Sequence, residues 1–434
     1  MTEPLHVIVV GGGIAGLCLT QGLRQAGVSV AVYERDRGPS DRLEGYRIHL
    51  NPAGSRALHA CLPPPVWDSF VATAGEPGGL GFLTEQLREL VVITDEPAAD
   101  PAQSSHAVDR ITLRHLLLCG LDDAVHFGKT FTHYEQHGDK VTAFFDDGSC
   151  ATGDLLVGAD GANSAVRRQF LPHAERVPTE ALSTALRFPL TDQTRSWVPR
   201  RLATSMNMIV APDPFFLFTS VFERRSGSAG VPVDTGRAYQ SYILCAFVAD
   251  RSAYPRDVHD LDQGCLRHVV EGMTVGWHPD LRRLLAESDP DSVMLVEHKT
   301  SVAVPAWPST TVTLIGDAIH SMPPVGGLGG NAALRDASLL CATLTTVRDG
   351  RSALVPALHQ YEEELRACGY AAIRAALHTQ RQGLRSNRVA VAGSRAWFRA
   401  CHAIPPLRSL NLPYREQARP RGWERSPHRH LSSQ

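Results

Sequence analysis

The chain has 434 residues, 43% hydrophobic and 20% charged, an ordinary globular composition with room for two or three domains. A formal net charge of −2 offers no electrostatic case for nucleic acid, and no apolar run reaches the roughly 18 residues of a membrane span. The nine cysteines contain no Cys-x-x-Cys pair, so reduced thiols in a cytoplasm are expected, with no disulfide frame and no metal site.

Residues 6–10 read as an apolar strand, followed by Gly11-Gly12-Gly13-Ile14-Ala15-Gly16 and a helix. The apolar run lacks the basic flank of a signal peptide, and its glycines have a better explanation. Gly11 permits a tight turn, Gly13 lets a pyrophosphate approach the backbone, and Gly16 packs the helix on the strand. The helix N-terminus then faces phosphate with free N–H groups and a positive dipole end. A second apolar run, 28–33, ends in Glu34, which can accept hydrogen bonds from an adenosine ribose. An acid there favours a free 2′-hydroxyl, so FAD or NAD fits better than NADP.

Residues 37–75 start as a loop rich in Arg, Asp and Gly and turn helical around Ala57, Leu58 and Cys61. Residues 76–102 hold a glycine cluster, an apolar run at 90–93 and an acidic stretch. Residues 109–118 read as a helix with Leu113, Leu116 and Leu117 on one face. Residues 141–145 and 150–151 flank an Asp-Gly turn and read as a hairpin. An apolar strand at 155–158 then ends in Gly158-Ala159-Asp160-Gly161 and feeds a helix bearing Ser164 and Arg167.

Alternating apolar runs at 181–190, 202–211, 214–223 and 239–249 predict antiparallel strands, with one helical stretch at 257–286 and a last strand at 293–296. A strand at 312–315 ends in Gly316-Asp317, where a short acid can bind a ribityl hydroxyl. Pro323 to Gly330 form a glycine-rich loop that feeds a helix starting near Asn331 and running to 346. Such a loop lets backbone lie against a flavin ring, and its N–H groups can stabilise the negative charge of reduced flavin. Helical periodicity marks 351–385. The tail from 411 is rich in Arg, Pro, His and Ser and is expected to be poorly ordered.

The three motifs, in this order and spacing, resemble those of the single-component flavoprotein aromatic hydroxylases, the group A monooxygenases with the fold of p-hydroxybenzoate hydroxylase. The resemblance covers roughly residues 5–60, 105–170 and 310–345, and the middle sheet resembles the family in texture only. It implies an α/β fold: a Rossmann-like FAD-binding domain, an inserted mixed or antiparallel β-sheet substrate domain, and C-terminal helices. The corresponding division is 1–75, 103–178 and 300–350 for FAD, 76–102 and 179–299 for substrate, 351–410 helical, and 411–434 disordered.

By motif position the resemblance gives Gly11, Gly13, Ile14, Ala15, Gly16, Glu34 and Arg35 to the ADP half of FAD. Arg110 contacts the cofactor and Arg47 lies on the flavin side. Asp160 serves both FAD and NAD(P)H, and Gly316 and Asp317 serve the ribityl or pyrophosphate region. Pro324, Gly327, Leu328, Gly329, Gly330 and Asn331 line the ring. Leu328 stands where Gln is frequent and Gly330 where Met or a small residue is frequent.

The implied activity is hydroxylation of a phenolic or polycyclic aromatic, in secondary metabolism, through a C4a-hydroperoxyflavin. FAD is non-covalent, and NADH or NADPH is a transient co-substrate with O₂. A monomer or homodimer is expected. An epoxidase or Baeyer–Villiger-type oxygenase is the alternative on the same fold, and a non-catalytic flavin- or metabolite-binding protein is the alternative from another class. Arg47, His49 and Pro324 are the catalytic candidates. Phe218, Tyr242 and Met208 are the substrate candidates, on strands whose alternation sends half of such residues to each face.

Overall fold

The computed structural model describes residues 4–39, 41, 47–75, 78–94, 98–223, 241–385, 388–404 and 407. The tail expected to be disordered lies outside them. The fold starts from the apolar strand His6–Val10, whose Val7, Ile8 and Val9 are fully buried. It pairs in parallel with Ser29–Glu34 on one side and Leu155–Gly158 on the other, and Val312–Leu314 and Val125–Phe127 complete a five-stranded parallel sheet. A parallel sheet needs both faces covered. The helices Ile14–Gln25 and Leu328–Arg348 pack on each other, and their Leu17, Leu334 and Leu340 join the sheet's core.

A three-stranded antiparallel sheet, Cys150–Gly153, Lys140–Phe145 and Phe131–His137, contains the expected Asp-Gly hairpin. The strands Arg47–Leu50 and His106–Asp109 pair separately.

The larger sheet has seven strands in the order Met294–Ser301, Arg176–Pro189, Tyr242–Asp250, Phe215–Phe222, Met206–Val210, Leu80–Thr84 and Glu89–Ile93. All neighbours are antiparallel except Met206–Val210 with Leu80–Thr84, so the sheet is mixed. One face carries Leu182, Leu186, Ile243, Phe247 and Leu217 and packs against the helices Gln263–Met273 and Pro279–Ala286. Phe247 and Phe215 therefore belong to that core.

Several boundaries differ from the sequence reading. Residues 200–204 form a short helix behind Pro199, not the start of a strand, and residues 257–286 hold two helices separated at 274–278. The long strand starts at Arg176, and the last one runs to Ser301, because they pair with each other beyond the apolar alternation. The helix expected from Asn331 begins at Leu328: Gly327, at φ +65°, ends the loop and lets the helix include both following glycines.

The helix Leu354–Gly383 crosses back over the parallel sheet, with Tyr361 donating to the Leu314 carbonyl. A final helix, Arg388–Ala403, is tied to the large sheet by Arg395, which bonds Glu85 and the Val210 carbonyl. No helix among the described residues is long and apolar enough to cross a membrane.

Candidate functional site

At the first glycine turn three glycines answer to two different demands. Gly11 sits at φ +110°, and a Cβ there would lie 2.5 Å from the Ala159 carbonyl oxygen. A Cβ on Gly16 would lie 2.1 Å from the Gly11 carbonyl oxygen. A Cβ on Gly13 would meet nothing within 4 Å. Gly11 and Gly16 are thus needed for packing, whereas Gly13 leaves an open approach at the head of the helix Ile14–Gln25, beside Ile14 and Ala15.

Glu34 is buried and ties the turn to the loop that follows it: its carboxylate accepts from the N–H of Gly12 and, at 2.9 Å, from that of Asp36. Arg35 is exposed at the rim. A residue that the sequence reading missed completes this end. Arg114 pairs with Asp36 at 2.9 Å and donates to the Gly12 carbonyl at 3.3 Å. The available signal was its position one turn after Arg110 on the helix Arg110–Leu118. That helix is capped by Asp109, which accepts from Ile111 and Thr112 and so presents Arg110 at the first helical position, exposed toward the cleft.

Asp160 Oδ2 accepts from the Ala165 N–H at 2.7 Å at the start of the helix Ala165–Phe170, which Ser164 caps. Its Oδ1 is buried with no hydrogen-bond partner among the described residues. Arg167 bridges this motif to the last one, donating to the carbonyls of Ala162 at 3.0 Å and Ala318 at 2.8 Å.

Gly316 takes φ +59° and ψ −139°, which only glycine adopts readily, and opens the short helix Asp317–His320. Asp317 is solvent-accessible, yet it is ringed by enough protein that burial raises its pKa against the opposing pull of His320, Arg110 and Arg176. Both observations fit the floor of a deep cleft. Behind it, buried His320 and Asp336 pair at 2.5 Å, and Asp336 also accepts from the Gly316 N–H at 2.9 Å.

The loop from Pro324 turns through Gly326 at φ +82° and Gly327 at φ +65° into the helix Leu328–Arg348. The first helical N–H groups, on Leu328, Gly329 and Gly330, have no intrahelical acceptor. Gly329 lies beside Asp317, with 3.8 Å from its would-be Cβ to Oδ1. The Asn331 side chain is spent on other backbone: it accepts from Asn51 and donates to His49 and Gly327, at 2.8–2.9 Å. It fixes the loop.

The same loop forms one wall of a cavity of about 2130 Å³. The opposite wall is the free face of the seven-stranded sheet. One row across it reads Met294, Ala185, Ala246, Phe218, Met208, Phe82 and Val91 in register. Met208 and Phe218 therefore line the cavity side by side. Tyr242 does not line it. It is buried at the start of its strand, its hydroxyl accepts from the Arg47 N–H at 3.0 Å, and the Arg187 guanidinium lies over its ring. Trp397 and Phe398 of the last helix also line the cavity.

Arg47 and His49, on one strand, line the cavity at the loop end. The Arg47 guanidinium donates to Ser220 Oγ. Burial first, then the charges of Arg47 and His106, push the His49 pKa down to about 3, so its ring is neutral at pH 7. Pro324 stands at the mouth of the loop. Among the described residues no group of three His, Cys, Asp or Glu is placed to hold a metal ion.

A family profile described as an FAD binding domain matches residues 4–376. The chain is 29% identical over 380 residues to a dual O-methyltransferase/FAD-dependent monooxygenase from Phaeosphaeria nodorum, covering 78% of this chain and 40% of that protein. It thus spans about two fifths of the dual-function relatives it matches. An FAD-dependent urate hydroxylase from Klebsiella pneumoniae is 28% identical over 366 residues, 83% of this chain and 85% of its own. A crystal structure from Photorhabdus luminescens, assigned as an FAD-containing monooxygenase, superposes with a TM-score of 0.80 at 33% identity, covering 88% of this chain and 98% of its own. The open approach at Gly13, the orphaned Asp160 oxygen and the glycine loop above Asp317 all suit a flavin dinucleotide.

Proposed function

Since the chain belongs to the FAD binding domain family of the flavoprotein aromatic hydroxylases, we propose that it is a monooxygenase that uses NAD(P)H and O₂ to hydroxylate a phenolic or polycyclic aromatic. The observation that carries this reading is the shared cavity. The 324–328 loop and the apolar sheet face bound one space of about 2130 Å³, wide enough for several fused rings beside a flavin. Relatives described as a monooxygenase and as a urate hydroxylase support oxygen transfer.

FAD, when bound, supplies the activation of O₂ and the delivery of one oxygen atom. The chain's own residues do the rest. The turn at Gly13 and the Glu34 carboxylate would hold the ADP half, with Arg114 bracing the turn through Gly12 and Asp36. Asp317 and Arg110, close enough to act on each other electrostatically, would hold the middle of the dinucleotide. The free backbone N–H groups of 328–330 would donate to the ring system and stabilise negative charge there. Arg47, held by Ser220 and Tyr242, orients ligand at the cavity's loop end. The wall of Met208, Phe218, Phe82 and Trp397 excludes water and positions an apolar ring system.

The chain's single glycine fingerprint serves one dinucleotide, so NAD(P)H binds here transiently. The test is NAD(P)H oxidation by the FAD-loaded protein across a panel of phenols and aromatic polyketides. Oxidation should accelerate with at least one member and yield an oxygenated product. Oxidation that ignores every member and yields only hydrogen peroxide contradicts the reading.

A further inference from the structure

The cavity wall contains a buried polar chain that the roles above leave unused. Ser183 and His298, on adjacent strands, both reach the cavity. Ser183 Oγ lies 2.8 Å from His298 Nε2, and His298 Nδ1 lies 2.9 Å from Gln380 Oε1. Gln380 Nε2 in turn donates to Thr179 Oγ1 at 3.1 Å. Ser183, His298 and Gln380 are 3%, 1% and 0% exposed.

The direction of each bond follows from the chemistry of the partners. Gln380 spends its NH₂ on Thr179, whose Oγ1 also accepts from the Ala181 N–H at 3.3 Å. Gln380 Oε1 can only accept, so His298 carries its proton on Nδ1. Nε2 is then bare and takes the Ser183 hydroxyl hydrogen. Burial lowers the His298 pKa, which keeps the ring neutral at pH 7 and the pattern intact. Ser183 Oγ thus offers the cavity lone pairs and no proton.

This acceptor sits beside the glycine loop. Val325 of that loop packs against Ala181, Phe216 and Val248. Ala181 is two residues along the same strand face from Ser183, and Val248 is Ser183's partner in register. We propose that Ser183 is the polar anchor of the substrate, an acceptor held without a proton by His298 and Gln380. It selects aromatic ligands bearing a neutral O–H or N–H donor over those that present only acceptors, ethers and carboxylates included. His298 and Gln380 are positioning residues that act through Ser183. The proposal rests on the aromatic-substrate reading above.

Calorimetric titration of the FAD-loaded protein with 2-naphthol and with 2-methoxynaphthalene tests it. The two ligands share a ring system, and only the first has a donor. Wild type should favour 2-naphthol. Ser183→Ala should shrink that preference by roughly fivefold to tenfold, the worth of one neutral hydrogen bond, and Ser183→Thr should keep it. His298→Leu, or Gln380→Leu if that chain does not fold, returns a proton to the Ser183 face and should tighten the ether. A Ser183 that is merely structural would weaken both ligands alike in the alanine variant, and an unchanged ratio overturns the anchor. If both ligands bind wild type equally, the anchor alone fails. If neither binds, the aromatic reading fails and takes the anchor with it.

Discussion

Gly13 and Gly16 lie three residues apart and answer to different demands, which makes them separable by mutation. A Cβ on Gly16 runs into backbone, whereas one on Gly13 projects into open space. Gly13→Ala should therefore fold with a near-wild-type Tm and lose flavin on dialysis, and Gly16→Ala should fail in both respects. Asp317→Ala should likewise keep its Tm and release FAD, because it removes an acceptor from the cleft floor and leaves the core untouched. Full flavin occupancy of Asp317→Ala after dialysis would remove that residue from the cofactor site. His49 gives a pH prediction. Its folded pKa of about 3 lies below the ordinary histidine value, so the unfolded chain binds the proton first as pH falls. Stability from this group is complete above about pH 6.5 and is lost toward pH 3, at up to about 1.4 kcal/mol per pH unit. Urea titrations at pH 7 and pH 5 should show that slope, and it should flatten in His49→Asn.

At the scale of elements, what the sequence made legible was local. Each of the three motifs joins a strand, a turn and a helix within a few residues, so periodicity and glycine placement sufficed to find them. The start of the helix Leu328–Arg348 was not legible, because Gly329 and Gly330 read as loop by propensity. Asn331 overrides that preference by tying the 49–51 stretch to the Gly327 carbonyl with one amide. The choice of face in the large sheet was equally hidden. Both faces are apolar, one against helices and one toward the cavity, so alternation alone could not tell Phe218 from Phe247. Ser183, His298 and Gln380 escaped notice because 115 and 82 positions separate the bonded pairs. The element-scale prediction concerns the row that Phe218 occupies. Phe218→Ala should retain FAD and loosen ligand packing, so that more NAD(P)H is consumed per product and more hydrogen peroxide escapes. Unchanged coupling and ligand affinity would move the substrate away from that row.

At the scale of the molecule, two cores serve one cavity. The parallel sheet and its helices form a core that holds the dinucleotide turns in place, and the mixed sheet with its two helices forms another that presents a rigid wall. Between them lie the loop at 324–328, the Arg47 strand and the last helix Arg388–Ala403, all lining the same space. Rigid walls around that loop would suit the proposed oxygen transfer, since they would exclude water from the reacting centre. The most direct test of that function is isotopic. The FAD-loaded protein is given NADPH or NADH, ¹⁸O₂ and the aromatic that most accelerates nicotinamide oxidation, and the product is weighed by mass spectrometry. One ¹⁸O atom per product molecule is the predicted result. A product labelled only from water, or no oxygenated product while the nicotinamide is consumed, would contradict it.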